Sequence, residues 1–401
     1  MMDQIFRLMP KLGLCGWAGG AVRRVGQVAL LGLALILAGC VGEAPTQGGQ
    51  PSRDVFDPTE IVALVPNQAA ANRVKTGASA LDFDLREEAA LDALDLVMLR
   101  FTIPEGYTGQ TAIAALEALD SNTTAGLNHA YRVATQTGSS RFDYVNALVA
   151  WPDGGCRAQG PVGMLDTGVD PGAARGLGGT VISEDFMRGS AARMRHGTDV
   201  ASVLLDPDRV SGGQLYNAAV VGRISGGEEL AGVDGIMKAL DWLADENVKL
   251  VNVSLAGPYN KLLDRSVTAA VQRGMTIVAA VGNDGADGPP RYPAALDNVI
   301  AVTAVDANRE IYRNAVRGAH VDIAAPGVDI PSAERGRVRF VSGTSMAVPL
   351  VTARIAADPS LFGRGAGRIR SALAQGSEDL GAPGSDPVFG SGLMRASGAC
   401  R

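Results

Sequence analysis

Three short motifs supply the side chains that nucleophilic catalysis by a serine requires. In chain order they read DTG, HGT and GTSMA, at residues 166–168, 196–198 and 343–347. A serine hydroxyl becomes a useful nucleophile when an imidazole takes its proton, and the imidazole needs a carboxylate that fixes its tautomer. Asp166, His196 and Ser345 can fill these three roles.

Each motif also has an ordinary interpretation. DTG can be a turn after a buried strand or half of an aspartic protease site, which needs two carboxylates sharing one proton. The chain has no second DTG, so that dyad could form only by dimerisation. GTS alone is an ordinary helix start. The other histidines, His129 and His320, lie in no such motif, so the three motifs together favour a serine hydrolase.

The flanking residues carry a resemblance to a known family. The segments VGMLDTG (162–168), HGTDVA (196–201) and GTSMAVP (343–349), in the order Asp, His, Ser, resemble the subtilisin-like serine proteases, the subtilase family. The resemblance extends over roughly residues 150–400. It implies a serine endopeptidase that hydrolyses peptide bonds in proteins or peptides through an acyl-enzyme.

A fourth residue matches the same family. Residues 278–285, VAAVGNDG, are typical of a buried strand that runs into a glycine-rich turn. In the family an asparagine at this point donates its amide to the oxyanion of the tetrahedral intermediate, which implies that role for Asn283. The second donor would be the backbone N–H of Ser345 at a helix N-terminus, where negative charge is favoured.

The resemblance also indicates a substrate-binding segment. Ser254, Leu255, Ala256 and Gly257 follow the largely apolar run 250–253 and resemble the family's strand that pairs with an extended substrate, with Gly282 among the same contacts. A plain strand end and turn is the alternative. Ala256, and Val281 beside Gly282, are larger than the usual family residues, so we expect small or medium apolar substrate side chains in the first specificity pocket.

The alternation of elements after Val162 predicts an α/β fold. One helical stripe is followed by strands at Leu250 and at residues 276–281. The stripe consists of Val233, Ile236, Met237, Leu240, Leu243 and Ala244. Strands that alternate with helices indicate a parallel sheet flanked by helices, with active residues at strand ends and helix starts. We assign residues 146–401 to this subtilisin-like catalytic domain.

Residues 56–145 are expected to form a separate small α+β domain. The pattern predicts strands at 61–65 and 96–101, a helix near 111–119 and a strand at about 129–133. In the resembled family such a prodomain is a propeptide that assists folding and blocks the cleft. A permanent accessory domain is the alternative, because no cleavage site is visible in the sequence.

The first 39 residues resemble an export signal. Arg23 and Arg24 precede the apolar run 28–38, which is short for a membrane span, and the run ends in Leu-Ala-Gly-Cys at Cys40. This resembles a bacterial lipoprotein signal, in which the cysteine is lipidated; an ordinary signal peptide is the alternative. Residues 40–55 form a flexible tether. We expect an exported protein, lipid-anchored in the cell envelope on its periplasmic or extracellular face.

Composition narrows the remaining choices. The chain has 401 residues and a net charge of −6, which argues against nucleic acid as a partner. Cys156 and Cys400 can form a disulfide in an oxidising compartment or remain as thiols. We identify no cofactor and no metal ligands, although the family includes structural calcium sites, and the oligomeric state is not indicated. The competing function is a non-catalytic lipoprotein that uses the same fold as a peptide-binding module.

Overall fold

The computed structural model describes residues 55–133, 136–138, 144–334 and 337–400. The predicted signal peptide, Cys40 and the predicted tether up to residue 54 lie outside the described residues. In the described part of the chain, no helix is long and apolar enough to cross a membrane.

Residues 55–133 form an antiparallel sheet with two helices. The strands are β1 (Val55–Val65), β2 (Asp84–Leu91), β3 (Leu96–Thr102) and β4 (Thr124–Val133), paired in the order β2-β3-β1-β4; the helices are α1 (Gln68–Ser79) and α2 (Gly109–Leu119). A short 3-10 helix, Asp92–Leu94, precedes β3. The helices and one face of the sheet enclose an apolar core that includes Ile61, Leu99 and Leu116. The N-terminal region is thus consistent with the α+β prodomain that the sequence predicts.

Both helices of this region begin with a side-chain cap. The Asn67 side chain accepts the Ala70 N–H at the start of α1, and Thr108 with Thr111 forms a reciprocal capping box at the start of α2. These caps satisfy backbone N–H groups that have no partner within the helix.

The following elements complete the fold. Strands are β5 (Gln136–Gly138), β6 (Cys156–Arg157), β7 (Val162–Asp166), β8 (Gly179–Asp185), β9 (Ser190–Ala191), β10 (Val210–Ser211), β11 (Gly213–Ala219), β12 (Val221–Arg223), β13 (Glu229–Gly232), β14 (Leu250–Val253), β15 (Leu255–Ala256), β16 (Thr276–Ala280), β17 (Ile300–Val305), β18 (Ile323–Pro326), β19 (Ile330–Glu334) and β20 (Arg337–Ser342). Helices are α3 (Val145–Val149), α4 (Pro171–Ala174), α5 (Arg195–Leu204), α6 (Val233–Asp245), α7 (Lys261–Gln272), α8 (Thr344–Ala356) and α9 (Ala366–Gly376).

A parallel sheet forms the centre of this region, as the sequence predicts. Its strand order is β18-β17-β16-β14-β7-β11-β8, and every pair is parallel. The middle strands β7, β14 and β16 are buried along their whole length, as strands covered on both faces must be. Helices flank the sheet: α5 packs against α8, and α6 packs against α7.

The predicted helical stripe lies on α6. Val233, Ile236, Met237, Leu240 and Leu243 are buried, whereas Ala244 is only partly buried. The stripe faces the sheet because α6 contacts β7 and β11.

Charged residues join the N-terminal sheet to the rest of the chain. Glu60 on β1 accepts hydrogen bonds from Arg100 on β3 and from Arg188, which follows β8. Both arginines also lie within 4.0 Å of the buried Asp234 on α6. This shared network, together with pairing of β4 to β13, makes the N-terminal region continuous with the larger one.

Cys156 and Cys400 form a disulfide. Their Cα atoms lie 5.2 Å apart, within the range that a bridge requires. The bond ties the last described residues to β6, at a sequence separation of 244.

Candidate functional site

A carboxylate and an imidazole meet at the end of the central strand. Asp166 is the last residue of β7 and is fully buried, and His196 is the second residue of α5. His196 Nδ1 lies 2.6 Å from Asp166 Oδ1, which also accepts the Thr167 N–H at 2.7 Å. With Nδ1–H donating to the carboxylate, Nε2 is left as the basic nitrogen of the neutral ring.

The glycine after the histidine allows the helix to approach the strand end. The Gly197 N–H donates to Thr167 Oγ1 at 2.8 Å. A Cβ at Gly197 would lie 2.5 Å from the Thr167 carbonyl oxygen, so no larger residue fits without displacement. The HGT and DTG motifs therefore contact each other directly, through Gly197 and Thr167.

The predicted nucleophile, Ser345, lies at the start of the helix that packs against α5. Ser345 is the second residue of α8 and is fully buried. Its Oγ lies 3.4 Å from the Ser254 carbonyl oxygen, while Ser254 Oγ donates to the Ser345 carbonyl at 3.0 Å. His196 Nε2 has no hydrogen-bond partner among the described residues. The Asp–His bond is thus formed and the Ser–His bond is not, and catalytic hydrogen bonds commonly tighten only when substrate is bound.

Asn283 lies beside the nucleophile with its amide oriented by Thr344. Its Oδ1 accepts the Thr344 N–H at 3.1 Å and the Thr344 hydroxyl at 2.9 Å. Because both donors fix the amide oxygen, Nδ2 is the atom left to serve an oxyanion. The helix N-terminus at Ser345 adds backbone N–H groups and a favourable dipole.

We expect replacement of Asn283 by alanine to lower kcat by about 10²–10³-fold, with little change in KM. This magnitude is borrowed from removal of the equivalent donor in subtilisin. It is checked by steady-state kinetics on a peptide p-nitroanilide. Asn298→Ala is the matched control, since the Asn298 amide bonds Thr268 instead. A loss below threefold in Asn283→Ala would contradict the assigned role.

The predicted substrate-binding segment lines one side of a cleft that the chain itself occupies. Leu255 and Ala256 form β15, which pairs antiparallel with Val133 and Arg132 of β4. On the other side, β13 pairs with Tyr131 and Ala130 of the same strand. An extended segment, residues 130–133, therefore lies between β13 and β15, and β15 directly follows Ser254, which contacts Ser345. The β13 side was missed by sequence reasoning because its short segment carries no motif.

Tyr131 fills a pocket beside this segment. Its side chain is fully buried, and its hydroxyl donates to the Pro258 carbonyl at 3.3 Å. Burial raises the pKa of the Tyr131 phenol. A Cβ at Gly257 would lie 2.4 Å from the Tyr131 ring, so glycine at 257 provides the space for it.

The chain also pairs with the strand that leads to the nucleophile. In β5, residues 136–138 pair antiparallel with Phe340, Val341 and Ser342 of β20. Gly343 follows Ser342 and precedes α8. The two strands that pair with the N-terminal chain both adjoin Ser345 in different ways: β15 directly follows Ser254, whose carbonyl lies 3.4 Å from Ser345 Oγ, and β20 ends at Ser342, three residues before Ser345.

Asp199 is a further residue of the site that the sequence did not reveal. It lies one turn after His196 on α5, is nearly fully buried, and bonds Ser332 on β19 and Arg339 on β20. Burial raises the pKa of the Asp199 carboxyl. The bonds to Ser332 and Arg339 act in the opposite direction but do not outweigh burial. Asp199 therefore joins the histidine-bearing helix to the hairpin that precedes Ser345.

The other two histidines lie elsewhere. His129 belongs to β4, and burial lowers the pKa of His320, which lies before β18. Only His196 of the three bonds Asp166 among the described residues. The described residues also contain no group of three or more His, Cys, Asp or Glu side chains arranged to hold a metal ion.

Comparisons with known proteins agree with this geometry. The model of the "Subtilase family" matches residues 161–392. Subtilisin Savinase from Lederbergia lenta is 32% identical over 256 residues, which cover 60% of this chain and 90% of Savinase. An alkaline protease from Alkalihalobacillus alcalophilus is also 32% identical, over 60% of this chain and 64% of its own length.

Two solved structures share the fold. Fervidolysin from Fervidobacterium pennivorans, described as a keratinolytic enzyme related to subtilisin, matches with a TM-score of 0.69 and 19% identity, over 88% of this chain and 62% of its own. The epidermin leader peptide processing protease of Staphylococcus aureus matches with a TM-score of 0.62 and 17% identity, over 85% and 99%. At these identities the likeness shows the fold alone.

Proposed function

Because this chain belongs to the subtilase family and is a subtilisin-like serine peptidase, we propose that it is an exported endopeptidase that works through an acyl-enzyme on Ser345. The observation that carries the proposal is the extended segment 130–133, which lies between β13 and β15 beside the nucleophile. Strand addition of this kind binds a backbone with little dependence on side chains, as cleavage within protein chains requires.

The reaction follows from the positions of four residues. Ser345 Oγ attacks the peptide carbonyl while His196 Nε2 takes its proton, and Asp166 stabilises the imidazolium through Nδ1–H. Asn283 Nδ2 and the Ser345 N–H stabilise the oxyanion. His196 then gives its proton to the departing amine. Water repeats the sequence on the acyl-enzyme and regenerates the serine.

We extend the proposal to the chain's own maturation. The backbone pairs with β15 up to Val133 and with β20 from Gln136; β15 follows Ser254, which contacts Ser345, and β20 ends three residues before Ser345. Two residues, Ala134 and Thr135, connect the paired segments in the sequence. The middle bond of this connection, Ala134–Thr135, is the one we assign as the cleavage site. Residues up to 134 then act as a propeptide that inhibits by occupying the cleft.

Export and anchoring complete the proposal. Residues 1–39 direct export, and a lipid on Cys40 attaches the unprocessed chain to a membrane of the cell envelope. The support is the sequence itself, an apolar run that ends in Leu-Ala-Gly-Cys.

Intact mass spectrometry of the full chain, expressed in a bacterium as wild type and as Ser345→Ala, tests these steps together. We expect the variant to keep residues from 40 onward with the mass of a lipid added. We expect the wild type to yield a product that begins at Thr135 and reacts with a fluorophosphonate probe. If the wild type stays full length and unlabelled, endopeptidase function is contradicted; a different new N-terminus contradicts only the assigned bond.

Retention of the cut propeptide is expected to depend on pH. Asp241 on α6 accepts the Leu94 N–H at 3.0 Å, and burial at this contact, aided by Asp92 and Asp245, raises its pKa to about 6. Release of the propeptide exposes Asp241 and lowers its pKa to the free value of about 4. The protonated carboxyl therefore makes its full contribution to propeptide binding below about pH 4. That contribution is lost as the pH rises through about 6.

Size-exclusion chromatography of the processed protein between pH 4.5 and 7.5 measures this retention. More propeptide should co-elute with the catalytic portion at the acidic end. Asp241→Asn should flatten the profile, and Asp208→Asn, at an exposed carboxyl that follows α5, is the control. An equally steep profile in Asp241→Asn would assign the pH dependence to other groups.

A further inference from the structure

The side chain of Arg291 lies where the first specificity pocket begins. A Cβ at Gly282 would lie 2.8 Å from Arg291 Cγ, 3.2 Å from Arg291 Cβ and 3.6 Å from the Ala256 methyl carbon. The aliphatic stem of Arg291 therefore lies against the backbone at Gly282, next to Ala256. Gly282 immediately precedes Asn283, so these atoms adjoin the place where a substrate carbonyl would be held.

One contact of Arg291 and one of the next residue hold this part of the chain in place. Its Nε donates to Asp284 Oδ2 at 2.7 Å, across the turn that carries Asn283. The next residue, Tyr292, exchanges backbone hydrogen bonds with Gly257 at 2.9 and 3.0 Å. The Arg291 stem is thus held between the substrate-binding strand and the turn that carries the oxyanion donor.

We propose that the Arg291–Asp284 pair closes the first specificity pocket, so that the enzyme selects a small uncharged side chain, alanine above all, on the acyl side of the cleaved bond. The inference rests on the proposed function. It adds a residue to the argument drawn from Ala256 and Val281, and it narrows the expected substrate side chain from small or medium apolar to small.

The charges of the pair bear on substrate choice. The Arg291 side chain is 16% exposed and that of Asp284 is 42% exposed, and the two offset each other at hydrogen-bond distance. A substrate acid near Arg291 meets the Asp284 carboxylate, and a substrate base near Asp284 meets the guanidinium. A charged substrate side chain of either sign would therefore meet a like charge as well as an opposite one. It would also lose its hydration on entering the pocket, which costs free energy.

The proposed maturation is consistent with this preference. In it the residue on the acyl side of the cleaved bond is Ala134, which is small and uncharged. A pocket narrowed by the Arg291 stem has room for this residue.

Hydrolysis of a series of tetrapeptide p-nitroanilides with Ala, Leu, Phe, Glu or Lys at the acyl position tests the inference. The full chain is allowed to mature, and active enzyme is counted by fluorophosphonate labelling. We expect kcat/KM for Ala to exceed that for Phe by tenfold or more, since pocket fit discriminates at about that level. Arg291→Gly should reverse or abolish this ratio by removing the stem.

Two further variants separate volume from charge. Arg291→Met keeps the first atoms of the stem and removes the ion pair, so the preference for Ala over Phe should remain. Arg309→Gly is the matched control, because Arg309 pairs with Glu378. If Arg291→Gly fails to fold, the substrate profiles of the wild type and of Arg291→Met still test the inference.

Each outcome is informative. Highest kcat/KM for Phe or Glu in the wild type overturns the inference, and so does an unchanged Ala-to-Phe ratio in a labelled Arg291→Gly. A wild type that takes no label contradicts the proposed function itself, which distinguishes the two failures.

Discussion

Replacing Ser345 by alanine is expected to lower kcat by about 10⁶-fold, the size of loss known for removal of the subtilisin nucleophile. Without the hydroxyl no acyl-enzyme can form, and the remaining groups can only bind substrate and stabilise an oxyanion. The measurement is turnover of a peptide p-nitroanilide by purified protein. Because the variant also cannot mature itself, its chain should be supplied with the propeptide already cut by an added protease.

A control must distinguish loss of the reactive hydroxyl from loss of the folded structure. Ser345 is fully buried, but alanine removes a single oxygen, and the bond of that oxygen to the Ser254 carbonyl is long at 3.4 Å. The melting temperature should therefore stay close to that of the wild type. Ser371→Ala, on the exposed surface of α9, should leave both activity and stability unchanged. Retention of a tenth of wild-type activity by Ser345→Ala would exclude this residue as the nucleophile.

Replacing Asp166 by asparagine is expected to lower kcat by about 10⁴-fold, the loss caused by the matching change in a chymotrypsin-type protease. Asp166 Oδ1 accepts from both His196 Nδ1 and the Thr167 N–H, so an asparagine with its oxygen in that place keeps both bonds but loses the negative charge that stabilises the imidazolium. In the opposite orientation of the amide, the tautomer of the imidazole changes as well. An amide N–H that points at Nδ1 places the imidazole proton on Nε2, the nitrogen that must receive the serine proton.

Asp170→Asn is the matched control for this change. Asp170 caps α4 through the Gly172 and Ala173 N–H groups, and asparagine caps as well as aspartate. Kinetics of both variants on the same p-nitroanilide make the comparison. Equal activity in Asp166→Asn and Asp170→Asn would remove Asp166 from the mechanism.

The positions of the candidate catalytic residues at a strand end and at helix starts could be predicted, because the local sequence determines these element boundaries. Asp166 follows an apolar strand, and Ser345 begins an apolar helix. The glycine of HGT is explained by the contact of Gly197 with the Thr167 carbonyl oxygen. The parallel sheet flanked by helices could be predicted from the alternation of strands and helices, whereas its strand order could not.

Two elements of the N-terminal region were missed for physical reasons. Helix α1 buries mainly alanines together with Val74, so its apolar stripe is weak. Strand β2 lies at the edge of its sheet and is mostly exposed, and its sequence DLREEAAL is as suitable for a helix.

The pairings across the cleft were beyond the sequence because they join distant segments. Nothing in residues 130–138 indicates β13, β15 or β20 as partners, since backbone hydrogen bonds carry little side-chain signal. The same holds for Arg291, whose position against Gly282 depends on how the strand at Gly257 meets Tyr292.

The bridge between Cys156 and Cys400 encloses Asp166, His196, Asn283 and Ser345 in one covalent ring. A protease that cuts one of its own surface loops within this ring opens it without losing a fragment. Such a nicked molecule keeps its mass apart from one added water, and it separates into two pieces only after reduction. Self-digestion of the mature enzyme is therefore visible on reducing gels and hidden on non-reducing ones.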